Sequence, residues 1–135
     1  MIHTDIDIKD LLWSWINASA LASAITGKVY KDKRPLNSEK EDAIISVIGR
    51  DANPQIQEAI VNVNVYVADK RRGYEPIEDT TRLRTLSTTC ANLFEYQHFG
   101  DWIVELDSQE VMEAGDIDYH IINNRLLLHF SNETA

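Results

Sequence analysis

The chain has 135 residues, 44% of them apolar and three of them tryptophan. That is enough for one domain, residues 1–135, with a core of its own, and it excludes wholesale disorder. Its 13 basic and 22 acidic residues leave a formal net charge of −9, which makes it a poor general nucleic-acid binder and argues against an anionic membrane surface as partner, since both need clustered Lys and Arg.

The single cysteine, Cys90, allows no intrachain disulfide and no thiolate zinc site within one chain. Met1-Ile2-His3-Thr4-Asp5-Ile6-Asp7 lacks the basic start and apolar run of a signal peptide. No apolar run approaches the roughly 20 residues of a membrane span. The expectation is a soluble intracellular product, or one released without a secretion signal.

Residues 5–26 are predicted to form one helix. Ile8, Leu11, Leu12, Trp15, Ala18, Ala22 and Ile25 recur at helical spacing as one stripe. Thr4 with Asp7 three residues on resembles a capping box, and Asp5, Asp7 and Asp10 put negative charge by the positive end of the helix dipole. Gly27 is the expected terminator, because glycine accepts the left-handed conformation that ends helices. Trp13 and Trp15 are two apart and cannot share a face. Trp15 belongs to the core stripe. Trp13 points elsewhere, as a protein–protein anchor or as part of a helix covered on two sides within the chain.

Val29-Tyr30 reads as a short extended piece. Residues 31–42 carry Lys31, Lys33, Arg34 and Pro35 with dense charge and no apolar period, which predicts a surface loop. Ala43-Ile44-Ile45-Ser46-Val47-Ile48 is β-branched and predicts a strand. Residues 49–54 carry turn chemistry. They lead into Ile60-Val61-Asn62-Val63-Asn64-Val65-Tyr66-Val67, in which every second residue is valine. Side chains on a strand alternate faces, so this is a strand with one apolar and one wet face, paired antiparallel with the strand before it.

Residues 69–75 form a second charged loop, with Lys70, Arg71, Arg72 and Tyr74. Pro76 suits the first turn of a following helix, and Leu83, Leu86, Cys90, Leu93 and Phe94 are its apolar stripe, ending before Gly100. Trp102-Ile103-Val104-Glu105-Leu106 is a strand. Residues 117–130 hold a last strand or hairpin, with Asn123-Asn124 as a tight turn or a bulge. The order is α-β-β-β-α-β-β. Short loops between neighbouring strands predict an α+β domain, a mainly antiparallel sheet of about five strands with two helices packed on it.

Chemistry-bearing patterns are sparse. Asp116, Asp118 and His120 alternate on one strand face, as metal ligands or as an ordinary solvated face. His3, His98, His120 and His129 form no HExxH or HxH pattern. Cys90 on an apolar helix stripe reads as a space-filling core residue. No GxSxG elbow or glycine-rich phosphate loop occurs. Lys70-Arg71-Arg72 with Tyr74, the cations Lys31, Lys33 and Arg34, and Trp13 are the candidate interface residues.

One resemblance runs through nearly the whole chain. It lies in the N-terminal helix, the passage Ile25-Thr26-Gly27-Lys28-Val29-Tyr30, the proline-bearing loop with Arg34-Pro35, and Glu41-Asp42-Ala43-Ile44-Ile45-Ser46-Val47. It continues through the alternating valine strand, the second helix and the ending Leu126-Leu127-Leu128-His129-Phe130. In element order and length this resembles the tail terminator (tail completion, head–tail joining) proteins of long-tailed bacteriophages and prophages. The resemblance implies a virion structural subunit, not an enzyme, with no cofactor and no metal. It implies a ring, commonly sixfold, that stops tube polymerisation. Its partners would be further copies of itself, the tail tube protein and the head–tail connector, without membrane or specific nucleic-acid binding. In such a ring the charged loops would set register against the acidic stretches 105–107 and 110–118, or those stretches would face the tube lumen. The alternatives are another small virion protein (connector or tube subunit), a metal- or ligand-binding domain using the 116–120 face, and an immunity-type acidic protein.

Overall fold

Thr4 caps the first helix. Its side chain accepts from Asp7 N at 3.2 Å, while the Asp7 carboxylate accepts from Thr4 N at 2.9 Å, so the capping box is formed. The structure, a computed structural model, describes residues 4–52 and 56–131. Its elements are α1 (Asp5–Asn17), α2 (Ala20–Ala24), β1 (Val29–Tyr30), β2 (Ala43–Ala52), β3 (Ile56–Ala68), β4 (Lys70–Arg72) and β5 (Glu75–Ile77). They continue with α3 (Thr80–Phe94), β6 (Tyr96–Phe99), β7 (Trp102–Glu113) and β8 (Tyr119–Ser131).

The expected α+β plan of about five antiparallel strands and two helices is therefore corrected. Among the described residues there are eight strands and three helices. Six strands form one mixed sheet in the order β1-β2-β3-β8-β7-β6, and β4 and β5 form a separate hairpin. The sheet is mixed because β1 runs parallel to β2, with Val29 beside Ala43 and Tyr30 beside Ile44.

Each difference has a local cause. The single helix over 5–26 is two helices, because Ser19 is extended and its hydroxyl donates to Ile16 O, the carbonyl that a continuing helix would use. The loop at 69–75 is a hairpin with Arg72 opposite Glu75. Its two-residue turn opens with Gly73 at φ +64, a conformation glycine adopts without strain. Pro76 lies in β5, where a missing N–H on an outer strand is tolerated, and α3 starts later, with the Asp79 side chain accepting from Arg82 N at 3.1 Å.

Strand β6 is new, only four residues long and directly after α3. Strand β7 runs on past Leu106 through a polar stretch to Glu113, held by β8 alone beyond a bulge at Asp107. Residues 117–130 contribute one continuous strand. Asn123-Asn124 is neither turn nor bulge, since the β3–β8 register runs through both without a break. The turn predicted over 49–54 is strand as far as Ala52, and its remaining part lies outside the described residues.

The valine alternation is realised in β3. Val61, Val63, Val65 and Val67 are at most 1% exposed, while Asn62, Asn64 and Tyr66 between them are partly exposed. They join Ile8, Leu12 and Ile16 of α1, Leu83, Leu86, Cys90 and Phe94 of α3, and Val104, Ile122, Leu126, Leu128 and Phe130 in one core. A fully buried aliphatic side chain contributes about 1.5–3 kcal/mol, so the helix-facing side of the sheet carries most of the stability. The other side is the wet face. No helix among the described residues is long and apolar enough to cross a membrane.

Candidate assembly surface

The lower end of the sheet, where β3 ends and β8 begins, carries three projections: the 31–42 loop, the β4–β5 hairpin and the β7–β8 turn. The loop is exposed but pinned. Arg34 lies between two rings of the wet face, its guanidinium carbon 4.6 Å from the Tyr66 ring centre and 4.4 Å from that of Tyr119. Arg34 Nε donates to Asp42 Oδ2 at 3.1 Å, and that carboxylate also accepts from Ser38 Oγ at 2.6 Å and Lys28 N at 3.2 Å. Asp42 is 1% exposed. A buried carboxylate is tolerated there because it is paired and hydrogen-bonded on all sides.

Its neighbour Glu41 ties the loop to α3. Arg82 Nε and Nη2 each donate to it at 2.7 Å, and Thr26 N donates at 3.2 Å. The Glu41 hydrogen bond raises the Arg82 pKa, outweighing burial, which lowers it. Gly27 is what lets the two segments meet. A Cβ there would overlap both Asp42 Oδ1 and Glu41 O. Gly27 is thus needed for close approach and not for the left-handed helix terminator read from sequence, since its φ is not positive. With the loop held, its tip presents Leu36 at 95% exposure.

The sequence-derived interface residues separate into two groups. Trp13 and Arg34 are engaged within the chain. The Trp13 ring is half-buried, its Nε1 donates to Val29 O at 2.9 Å, and Lys31 Nζ lies 5.3 Å from its centre while bonding Asp10 at 2.7 Å. Of the two readings of Trp13, the structure gives the helix covered on a second side, here by β1. Lys33, Lys70, Arg71, Arg72 and Tyr74 are exposed, and the last four lie together on the hairpin. Arg71 reaches Asp118 at 2.8 Å and Arg72 reaches Glu75 at 2.9 Å, in pairs more than half exposed at every member. Such pairs hold loosely and contribute about 0–1 kcal/mol. Tyr74 is fully exposed.

The hairpin base is fixed more firmly. His120 Nδ1 lies 2.6 Å from Asp69 Oδ1, with both side chains largely buried, and Glu78 lies 4.0 Å from Nε2. Asp69 precedes β4 and Glu78 follows β5, so one imidazole stands between both stems. The Asp116, Asp118 and His120 face is accordingly divided. Asp118 pairs with Arg71, His120 with Asp69, and Asp116 is exposed in the turn. Among the described residues no three His, Cys, Asp or Glu side chains converge as a metal site. Cys90 is fully buried, and burial pushes its thiol pKa up to about 12 against a lowering hydrogen bond to Asn124.

Sequence reasoning missed the unpaired strand edges. β6 covers β7 only over residues 102–105, so residues 107–113 have no strand on their outer side among the described residues. β1 covers β2 only at Ala43 and Ile44, leaving residues 45–52 equally open. Unpaired edges present backbone donors and acceptors to any strand that approaches. The β7 edge also bears Asp107, Glu110 and Glu113, with Val111 at 43% and Met112 at 37% exposure. Between this edge and α3 runs a groove of about 310 Å³ lined by Glu78, Thr80, Leu83, Arg84, Ser87 and Val111.

No protein-family model matches the chain, and no curated protein matches it.

Proposed function

We propose that this protein is a structural subunit that assembles with further copies of itself into a closed ring. In line with the resemblance, we assign that ring to the end of a phage or prophage tail tube. There it stops addition of the tail tube protein and offers its far face to the head–tail connector. It would reside in the virion tail, and in the bacterial cytoplasm during assembly.

The observation that carries this reading is a six-stranded sheet with a long unpaired edge towards each end, β2 over residues 45–52 and β7 over 107–113. Ring closure needs a heterologous interface, one patch meeting a different patch on the next subunit. Two unlike edges on one rigid sheet offer two different surfaces to neighbouring subunits. The charges on β7 oppose pairing of this edge with a copy of itself, since like charges facing one another are unfavourable. The pinned loop supports the same reading, because Leu36 is presented on a segment with little left to order on binding.

Electron microscopy and mass measurement of the purified protein, alone and with tail tubes, test it. Discrete rings, alone or only on tube ends, are expected. Long tubes formed by the protein alone would assign it instead as a tube subunit. A monomer that neither self-associates nor binds tube ends would end the reading.

A further inference from the structure

The β4–β5 hairpin and the β7 edge are opposite in charge, and among the described residues neither has a further strand on its outer side. The hairpin carries Lys70, Arg71 and Arg72, and β7 carries Asp107, Glu110 and Glu113. Resting on the assembly reading above, we propose that the hairpin of one copy seats on the lower half of β7 of a second copy. Its Tyr74 then enters the groove between α3 and β7 of that copy.

Four observations converge on this contact. First, three cations sit together on β4 and three carboxylates on β7, where Asp107 is tied by an exposed pair with Arg125 at 3.5 Å. Alternation puts Glu110 on the wet face of β7 and Val111 and Glu113 on the helix-facing side, opposite Asn123, Ile122 and His120 of β8. A basic ribbon laid along this edge would meet a carboxylate on either side. Second, Tyr74 is fully exposed at the hairpin turn, and a rigid aromatic with a polar tip is a frequent interface anchor. Third, the groove is lined by the apolar Leu83 and Val111 together with Glu78, Thr80, Arg84 and Ser87, in about 310 Å³. That volume takes one aromatic side chain. Fourth, the hairpin is held at its base and loosely bonded along its length. The Asp69–His120 contact at 2.6 Å anchors the stem, while Arg71 and Arg72 are tied only by exposed pairs. Those arginines can exchange Asp118 and Glu75 for carboxylates of a neighbour at little cost.

Electrostatic steering makes the contact strongest at low salt. A reciprocal charge exchange tests it. K70E/R72E gives a chain with an acidic hairpin and an acidic β7. E110K/E113K gives one with a basic hairpin and a basic β7. Each alone is expected to self-associate at least about tenfold more weakly than the unaltered protein in analytical ultracentrifugation. Mixed, the two are expected to associate as tightly as the unaltered protein. Y74A is expected to weaken association to a similar degree and keep the unaltered melting temperature. Mixing Y74C with V111C under mild oxidation is expected to give a disulfide-linked pair that neither gives alone.

If the unaltered protein forms rings and the two charge variants form them equally well alone, the hairpin contact is wrong and the assembly reading stands. Failure of the mixture to recover association also overturns the contact. If the unaltered protein neither self-associates nor binds tube ends, both fall.

Discussion

Arg34 and Asp42 meet in the loop that links β1 to β2, with Nε 3.1 Å from a carboxylate oxygen of a residue 1% exposed. The pair is held from both sides, by Tyr66 and Tyr119 around the guanidinium and by Ser38 Oγ and Lys28 N on the carboxylate. R34A leaves a buried charge without its partner, which costs about 3–5 kcal/mol. Urea unfolding is expected to show a loss of that size. A loss below about 1 kcal/mol would mean that the loop is not a structural element.

Gly27→Ala tests the same junction from beneath. The added carbon overlaps Asp42 Oδ1 and Glu41 O, so the loop must move or the Arg34–Asp42 pair must open. Overpacking of this kind costs about 1–3 kcal/mol. In an exposed helix terminator the same change would be milder. A thermal melt of G27A within one degree of the unaltered protein would contradict the close approach.

The two faces of β3 predict opposite outcomes one residue apart. Val63→Asp or Val65→Asp puts an unpaired carboxylate among residues that are fully buried, at a cost of several kcal/mol against a total stability of about 5–15 kcal/mol. Both variants are expected to be unfolded by circular dichroism. Asn62→Asp, on the wet face, is expected to remain folded.

Cys90 gives a pH prediction. Its thiol rises from 9.0 to about 12 in the folded chain. Above the unfolded value the unfolded chain has lost a proton that the folded chain keeps, so stability falls as pH rises from about 9 towards 12. The slope from this one group is at most about 1.4 kcal/mol per pH unit. C90A is expected to show a shallower alkaline decline in urea midpoint. Labelling by iodoacetamide at pH 8 is expected to require unfolding, because the folded thiol is both buried and protonated.

How much was legible in the sequence differs by element. The capping box at Thr4 and Asp7 and the valine alternation of β3 are written in residues at most a few positions apart, and both are formed. Asn123-Asn124 is the contrary case. An adjacent pair of asparagines has turn chemistry locally, but Asn123 Nδ2 donates to Asn64 Oδ1 at 2.7 Å and Asn124 Nδ2 to Val63 O at 3.1 Å, while Gln109 Nε2 donates to Asn124 Oδ1 at 2.8 Å. Those partners come from strands far away in the chain, and they hold both amides in the middle of a strand. Residues 107–113 lack strand periodicity for a related reason. Most of their side chains face solvent, and β8 alone keeps them extended. Of the candidate interface residues, the exposed hairpin group was visible as charge, whereas the enclosure of Trp13 and Arg34 depended on Val29, Tyr66 and Tyr119 arriving beside them.

From its sequence alone this protein has an acidic surface, one buried thiol and a central strand with an apolar side and a wet side, because composition and residue alternation act over a few neighbouring positions. The tertiary structure alone decided that the last strand lies between the third and the seventh, that among the described residues two edges stay open and that a basic hairpin projects from the same end of the sheet as an acidic edge. Strand neighbours are chosen by packing between segments dozens of residues apart, and no local pattern records which edge is left over once that packing is complete.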